Sequence, residues 1–340
     1  MIQNLLQIWS RYHKQPKAVL CSVIAWKGSV PRKDYPMMLV LEDGTLLGTI
    51  GGGSMELKIS QSAMRMIDSI GAEVFDFDMT GKDVEADMGL CGGTLKVLVE
   101  PFTQSIQTFY EEMLLQAGHN QKLMVKLNIH GKEMVRVERE MIVHKKDIQE
   151  PDTELQSRLK SIFENQRTKF IDSEEVQILM WQSFTPPTIH IFGAGHVGQA
   201  TADLAHFNDL PVIVHDDRMG LLTSERFPHA QRLQASFPIN REDDFGISDR
   251  DFVLIASREH KHDRELLATI LQTPPAYLGL VSSARKWKLL SESLNNDGFS
   301  DELLNRVHAP VGLDINAQTV PEIAVSIISE MISVYRTSAS

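Results

Sequence analysis

The chain has 340 residues, which at roughly 150 residues per domain suggests about two domains. Its formal net charge is −11, which argues against a general nucleic-acid binder because such a protein needs a basic face. Its two cysteines, Cys21 and Cys91, exclude a disulfide framework and any four-cysteine metal site within one chain. No apolar run reaches the ~20 residues that span a bilayer. We therefore expect a cytoplasmic protein with reduced thiols and neither a membrane nor a nucleic-acid partner.

The first part of the chain predicts an α+β domain, with more strands than helices. Strands are predicted, in chain order, over residues 17–26, 37–42, 46–50, 72–79 and 94–99, with further strands over 122–145 around a turn at 130–131. Helices are predicted over residues 55–70, 103–117 and 153–166.

The pair Pro186-Pro187 predicts a linker, because proline removes a backbone donor and favours an extended chain. It separates two predicted domains, residues 1–184 and 188–340. In the second domain strands and helices alternate, which predicts a Rossmann-like doubly wound parallel sheet. Its strands are predicted over residues 188–192, 211–215, 252–256 and 277–281. The first of its helices is predicted to end near residue 207, and the next two to cover residues 263–272 and 284–295. The last is predicted to begin at a capping box of Thr319 and Glu322.

A glycine motif marks the start of the second domain. The run Gly193-Ala194-Gly195-His196-Val197-Gly198 follows a predicted strand and opens a helix, and the next strand is followed by Asp216. Glycines allow close backbone approach, the helix N-terminus attracts a phosphate, and an acid at this spacing accepts from ribose hydroxyls. The motif therefore predicts that NAD or another nucleotide can bind. Asp216 favours NAD over NADP, although Arg218 could pair with a 2′-phosphate.

Two polar clusters follow later strands of this domain. His260, His262 and Asp263 could bind a metal or move protons, or they could form a polar loop in which Asp263 caps a helix. Arg285, with Lys286 beside it, could form an anion site at a helix start or a solvated first turn.

The first domain has its own glycine loop. The run Gly51-Gly52-Gly53-Ser54-Met55-Glu56 joins a predicted strand to a predicted helix. Glycines at positive φ leave backbone N–H groups accessible, so that the loop can bind an anion. The alternative is a tight turn that simply needs glycine.

The two cysteines occupy different settings. Cys21 lies inside an apolar strand and is predicted to be an inert core residue. Cys91 precedes Gly92 and Gly93, which keep the sulfur open to approach, and a nearby cation or helix N-terminus would favour its thiolate form. We therefore interpret Cys91 as the functional thiol.

Several motifs, in order along nearly the whole chain, resemble those of the xanthine dehydrogenase accessory protein family of the XdhC/CoxI type. They are Gly28-Ser29-Val30-Pro31-Arg32, Leu47-Gly48-Thr49-Ile50-Gly51-Gly52-Gly53 with Glu56, Cys91-Gly92-Gly93, the second glycine motif, Asp216-Asp217-Arg218, His262-Asp263, Tyr277-Leu278-Gly279-Leu280, the run from His308 to Ile315, and Pro321-Glu322-Ile323-Ala324. Where many relatives carry cysteine after the three glycines, this chain has Ser54, so that Cys91 is the only matching sulfur.

The resemblance implies an accessory or chaperone protein rather than a catalyst. Such a protein binds molybdenum cofactor (molybdopterin), holds it during sulfuration and helps to insert it into xanthine dehydrogenase or a related hydroxylase, its client. A cysteine desulfurase is a further implied partner, and a homodimer is the implied assembly. We expect the cofactor to bind between the halves, with Cys91 at the metal or at an exchanged sulfur.

The resemblance also assigns the cofactor-binding positions. The phosphate of the cofactor would lie on Gly51, Gly52 and Gly53 beside Arg32, and the molybdenum would meet Cys91, since thiolate is a soft ligand. Cofactor or nucleotide binding is also predicted, from the resemblance or from the motifs above, at Ser54, Glu56, Gly92, Gly93, Gly193, Gly195, His196, Gly198, Asp216, Arg218, His262, Asp263 and Arg285.

Two alternative functions remain open at this stage. An NAD-dependent oxidoreductase would bind NAD tightly in the Rossmann half and transfer hydride to a substrate near His260 and His262. A non-catalytic nucleotide-binding scaffold would bind its ligand without any dependence on Cys91.

Overall fold

The computed structural model describes residues 2–11, 16–79, 92–117, 123–131, 135–150, 152–165, 168–173, 176–182, 186–235, 245–258 and 260–338. The chain divides into two compact units, residues 1–185 and residues 186–340. Each unit has hydrophobic clusters of its own.

Over its described residues, the first unit contains two antiparallel sheets and four α-helices. Its strands are β1 (Ala18–Lys27), β2 (Met37–Leu41), β3 (Leu46–Gly48), β4 (Glu73–Asp78), β5 (Thr94–Pro101), β6 (Met124–His130), β7 (Arg136–Ile142), β8 (Lys169–Asp172) and β9 (Val176–Gln182). Its helices are α1 (Ile2–Trp9), α2 (Gly53–Arg65), α3 (Gln104–Ala117) and α4 (Thr153–Glu164). The sheets have the strand orders β3-β2-β1-β5-β4 and β7-β6-β9-β8.

Strand β1 is the centre of the first sheet and is buried on both faces. Val19, Cys21 and Val23 point into the cluster that also contains the buried face of α2. Leu20 and Ile24 point the other way, into the cluster shared with α1, α3 and the second sheet. Burial on both faces explains why β1 is a continuous apolar run rather than an alternating one. Cys21 is fully buried, which confirms its predicted place in the core, and burial raises the pKa of its thiol.

The second sheet is likewise covered on both faces. Leu127 and Ile129 of β6 face the cluster shared with the first sheet. Met124 and Met180 face the opposite way and pack with Leu159 of α4. This unit therefore stacks helix, sheet, sheet and helix, which is the predicted α+β class.

The second unit is built on one parallel six-stranded sheet. Its strands are β10 (Ile189–Phe192), β11 (Val212–Asp216), β12 (Arg232–Ala235), β13 (Phe252–Ile255), β14 (Tyr277–Leu280) and β15 (Val307–His308). Its helices are α5 (His196–Phe207), α6 (His260–Ile270), α7 (Ala284–Asn296), α8 (Asp301–Leu304) and α9 (Val320–Ser338). The order β12-β11-β10-β13-β14-β15 is the 3-2-1-4-5-6 order of the dinucleotide-binding fold. The predicted Rossmann-like sheet is confirmed.

Helices cover both faces of this sheet. Helices α5 and α9 pack on one face, and helices α6 and α7 pack on the other. Helix α9 begins with the predicted capping box, in which the carboxylate of Glu322 accepts from the Thr319 N–H at 2.9 Å. The Thr319 hydroxyl oxygen in turn accepts from the Glu322 N–H at 3.4 Å. Among the described residues, no helix is long and apolar enough to cross a membrane.

Several predicted boundaries were wrong. Helix α2 ends at Arg65 rather than at residue 70, and the side chain of Ile70 is fully exposed beyond its end. Strand β3 ends at Gly48, because the glycine loop turns the chain there. Elements that the sequence did not predict are α1, β8, β9, β12, α8 and β15.

Candidate functional site

The glycine loop of the first unit depends on backbone angles that only glycine adopts readily. Gly51, Gly52 and Gly53 have φ of 139°, 76° and 70°. A Cβ added at Gly52 or at Gly53 would meet no other atom within 4 Å. Gly51 packs against Pro31, whose Cβ would lie 3.1 Å from an added Cβ. The loop therefore presents bare backbone, followed by Ser54 in the first turn of α2.

Glu56 of α2 folds back over this loop. One of its carboxylate oxygens accepts from the Thr49 hydroxyl at 2.5 Å, the Ile50 N–H at 2.9 Å and the Gly52 N–H at 3.1 Å. Burial opposes the charge of Glu56, but these hydrogen bonds outweigh it and lower the pKa of the carboxyl. The Gly51 N–H donates to the Thr49 hydroxyl oxygen at 3.1 Å.

These contacts alter the expected phosphate site. The N–H groups of Gly51 and Gly52 already have partners within the protein, and a carboxylate lies beside them. The donors that remain are the first-turn N–H groups of α2, which have no acceptor within a helix.

Arg32 lies beside the same loop. Its guanidinium donates to the Thr49 carbonyl oxygen at 3.4 Å and to both carboxylate oxygens of Asp34, one of them at 2.9 Å. The side chain is one-third exposed. Because Asp34 balances its charge, an anion at Arg32 would have to compete with this carboxylate.

Gly92 and Gly93 pack on the loop between β1 and β2. A Cβ on Gly93 would lie 2.3 Å from the Ser29 carbonyl oxygen, and a Cβ on Gly28 would lie 2.9 Å from the Gly92 carbonyl oxygen. Such distances exclude side chains at Gly28 and Gly93. Cys91 itself lies outside the described residues, but its covalent neighbour Gly92 is fixed here.

The structure thus brings three separate motifs of the first unit together. The segment 28–32 contacts Gly92 and Gly93 at one end, and the glycine loop through Pro31 and Arg32 at the other. Sequence reasoning missed Thr49 and Asp34 as the partners that orient Glu56 and Arg32. No periodic signal marks such pairs, because Arg32 and Asp34 are neighbours within one loop, and Thr49 and Glu56 lie on opposite sides of the glycine loop.

The glycine motif of the second unit is closely packed. A Cβ on Gly193 would lie 2.3 Å from the Ala256 carbonyl oxygen, and a Cβ on Gly198 would lie 2.0 Å from the Gly193 carbonyl oxygen. By contrast, a Cβ on Gly195 would meet nothing within 4 Å. His196 is exposed at the start of α5. Strand β10 and helix α5 therefore meet at glycine, as the motif predicts.

The carboxylate of Asp216 is engaged within the protein. It accepts from the Ala194 N–H at 2.6 Å and from the backbone and guanidinium of Arg218, each at 2.8 Å. The side chain is buried, which opposes its charge, but the bonds from Arg218 prevail and hold the pKa of Asp216 far below its usual range. A ribose at Asp216 would have to displace Arg218. The void beside these residues and His262 is only about 10 Å³, which is space for about one water.

Asp263 is not a helix cap, and that alternative is wrong, because α6 begins three residues earlier at His260. Asp263 is buried, accepts from the Ser257 hydroxyl at 2.5 Å and forms an ion pair with Lys286 of α7. The side chain of His260 lies outside the described part of the structure. Among the described residues, no group of three potential metal ligands occurs.

Arg285 occupies the first turn of α7, whose N-cap is Ser283. Its side chain is exposed. The Ser283 hydroxyl oxygen accepts from the Lys286 N–H at 3.2 Å, so the helix start is capped from within the protein.

Two family models match the chain. The XdhC Rossmann domain matches residues 189–331, and the XdhC and CoxI family matches residues 12–78. Together these ranges cover more than half of the chain and include both glycine loops. Cys91 lies in neither range.

The chain is similar to proteins of two bacteria. It is 27% identical to a Bacillus subtilis protein named as a probable xanthine dehydrogenase subunit, over 94% of this chain and 93% of that protein. It is 25% identical to the uncharacterized protein YqeB of Escherichia coli over 93% of this chain, which spans only 43% of that protein.

A solved structure has the same fold. A crystal structure described as a xanthine dehydrogenase from Bacillus halodurans superposes with a TM-score of 0.79 and 24% identity, covering 98% of this chain and 95% of that one. Both family models, the fold and the relatives agree, and the chain belongs to the XdhC and CoxI family.

Proposed function

We propose that this protein is an accessory factor that binds molybdenum cofactor and delivers it to an enzyme of the xanthine dehydrogenase type. Membership of the XdhC and CoxI family implies the accessory role in outline. The cofactor, as cargo, is a phosphorylated pterin whose dithiolene holds molybdenum.

One observation carries the proposal. Three motifs that are far apart in sequence, at residues 28–32, 49–56 and 92–93, meet at one place in the first unit. Cys91 is bonded to the last of them. A thiolate there would be a soft ligand for molybdenum or an acceptor of sulfur.

The residues present fit the cargo in part. The open space at Gly52 and Gly53 and the first-turn N–H groups of α2 suit a phosphate. Arg32 adds a cation that Asp34 partly neutralises. Ser54 replaces the cysteine that many relatives carry, so Cys91 supplies the thiol. Glu56 limits the phosphate to the outer part of the loop, because like charges repel.

The name of the Bacillus subtilis relative makes that protein part of an enzyme complex, whereas a delivery factor would leave its client. The two roles predict different behaviour when the client enzyme is purified. A component of the complex stays with the active enzyme through purification, whereas a delivery factor is captured only with client that lacks cofactor. We propose the second behaviour for this chain.

Cofactor retention tests the proposal directly. The full chain is purified without oxygen from a molybdenum-replete host and oxidised, and released pterin is measured by fluorescence. We expect near-stoichiometric pterin in the parent protein and a loss of at least tenfold in Cys91→Ser. Cys21→Ala is the matched control, since Cys21 is buried in β1. Full retention by Cys91→Ser, or retention of NAD without pterin, would overturn the proposal.

The strand order of the second unit favours one other function, an oxidoreductase that uses NAD. The engagement of Asp216 by Arg218 opposes it. Calorimetric titration of the full chain with NAD separates the two. Binding in the low micromolar range, together with hydride transfer to a substrate, would establish the oxidoreductase, whereas failure to bind would remove it.

A further inference from the structure

A cavity of about 540 Å³ lies beyond the carboxyl end of β14 in the second unit. Its wall consists of Val281 and Ser282, the loop at residues 310–317, and Ile323 and Ser326 of α9. The volume falls in the range of small-molecule sites, about 300–1,000 Å³. The carboxyl edge of a parallel sheet is also where α/β folds place their ligands.

The loop of this wall is held firmly from behind. The Gly312 N–H donates to a carboxylate oxygen of Glu330 at 3.0 Å, and the Tyr277 hydroxyl donates to the same oxygen at 2.5 Å. The Ser326 hydroxyl donates to the Leu313 carbonyl oxygen at 2.5 Å. A Cβ on Gly312 would lie 2.3 Å from that hydroxyl oxygen, so the loop and α9 are in close contact. The cavity is therefore preformed, which lowers the entropy lost when a ligand binds.

Much of the lining is apolar and open. Leu313 and Ile315 are 44% and 46% exposed, although both are large hydrophobic residues. Val281, Val311 and Ile323 add apolar surface. A flat ring would cover part of this surface and remove it from water.

The polar groups of the lining restrict the ligand further. Asp314 is the one charged residue among the described lining residues, so no cation there would attract a phosphate. Asp314 is exposed, and one of its oxygens accepts from the Asn316 N–H at 3.4 Å, which leaves acceptor positions for a ligand with N–H donors.

We propose that this cavity binds a flat heterocycle through an aminopyrimidinone edge, the edge that pterins and guanine share. That edge presents adjacent N–H donors, which the two oxygens of Asp314 can accept together. The apolar residues of the lining contact the faces of the ring. Choosing pterin over guanine rests on the proposed function, whereas recognition of the shared edge does not.

Titration of the purified, cofactor-free full chain tests this inference. The probes are 6-hydroxymethylpterin, guanosine and lumazine, which has the pterin ring system without the amino group. We expect 6-hydroxymethylpterin to bind with a Kd on the order of 10–100 µM, typical for a fragment of its size. Lumazine should bind at least tenfold more weakly. A stronger response to guanosine than to the pterin would assign the same edge to a guanine nucleoside.

Variants locate the binding. Asp314→Asn should weaken the pterin at least tenfold and leave lumazine unchanged, and Ala317→Phe should block both by filling the cavity. Asp217→Asn is the matched carboxylate control, because Asp217 lines a different cleft. Thermal denaturation of each variant identifies any that fail to fold, and the Asp217 and Asp314 variants are compared at equal folded fraction.

Equal affinity for pterin and lumazine, or unaltered binding in Ala317→Phe, would overturn the inference. Its failure is distinguishable from failure of the proposed function. Cofactor retention that depends on Cys91 can persist while the purified chain ignores the isolated ring, and then only the cavity assignment falls. If the ring binds but the purified chain retains no cofactor, the cavity assignment stands and the proposed function falls.

Discussion

Buried histidines show most clearly how single residues set the behaviour of the second unit. His190 and His215 are both fully buried, and their Nδ1 and Nε2 atoms are 3.1 Å apart. His190 also lies 3.7 Å from a carboxylate oxygen of Asp251. Burial, with smaller contributions from His190 and Arg232, lowers the pKa of His215 to about 3. His215 must therefore remain neutral in the folded protein at neutral pH.

This pKa predicts how stability depends on pH. In the unfolded chain His215 titrates near 6.5, so the folded state binds fewer protons between about pH 6.5 and 3. The contribution of neutral His215 to the free energy of unfolding is complete above pH 6.5. It is lost as the pH falls, and the loss is about 2 kcal/mol at pH 5. Urea denaturation of the parent and of His215→Gln at pH 7.5 and pH 5 measures it. His215→Gln should have a lower free energy of unfolding than the parent at pH 7.5. Between pH 7.5 and pH 5 it should lose less of that free energy than the parent does. His196→Gln, at an exposed site, should behave like the parent. The same change in the free energy of unfolding between the two pH values in all three proteins would contradict the prediction.

Glu56 provides a second prediction at this scale. Replacement of Glu56 by Gln removes the charge that strengthens three hydrogen bonds from the loop. We expect the free energy of unfolding of the first unit to fall by about 1–2 kcal/mol. The same variant should bind inorganic phosphate more tightly, since a competing anion is gone. Glu73→Gln, at an exposed site on β4, is the control in both measurements. Unchanged stability in Glu56→Gln would show that the loop does not depend on this carboxylate.

At the scale of elements, contact between β10 and α5 requires glycine at one position and tolerates alanine at another. A Cβ on Gly198 would lie 2.0 Å from the Gly193 carbonyl oxygen, whereas one on Gly195 would meet nothing within 4 Å. Gly198→Ala should therefore destabilise the second unit by about 1–3 kcal/mol. Gly195→Ala, its matched control, should change stability by less than about 1 kcal/mol. Denaturation monitored by circular dichroism compares them, and equal effects would show that the helix shifts without cost.

In the second unit, strands buried on both faces could be predicted from the sequence, and the short edge strands could not. Strands β10, β13 and β14 are apolar runs followed by polar loops, so their parallel arrangement was predictable. Strand β12 is half-exposed at the sheet edge and mixes Arg232 and Gln234 with apolar residues. Strand β15 has two residues and exists through pairing with β14 alone. Neither carries a periodic signal of its own.

The candidate site was predictable to a similar degree. Its glycines were identifiable, because close approach and positive φ exclude other residues. The partners of the charged residues were not. That Asp216 accepts from the Ala194 N–H, and that Asp263 binds Lys286 across two helices, depends on tertiary packing that no local pattern reports.

For the whole molecule, the separate hydrophobic clusters of the two units lead to a prediction about autonomy. We propose that residues 188–340 fold without the first part of the chain, because the clusters of that unit draw on its own strands and helices. Expressed alone, this fragment should unfold cooperatively in urea and keep the dependence on pH ascribed to His215. A fragment that binds a dye for exposed apolar surface and unfolds gradually would contradict the proposal.

The position of Cys21 has a practical consequence. Its sulfur is buried in the hydrophobic cluster between β1 and α2, so a maleimide or disulfide reagent can reach it only when the first sheet opens. Modification of a single thiol in the native protein therefore reports on Cys91. The slow appearance of a second modified thiol measures how often the first sheet opens. The unaltered chain thus contains its own reporter of local opening, and a cargo that stabilises the first unit would be detected as a delay of that second reaction.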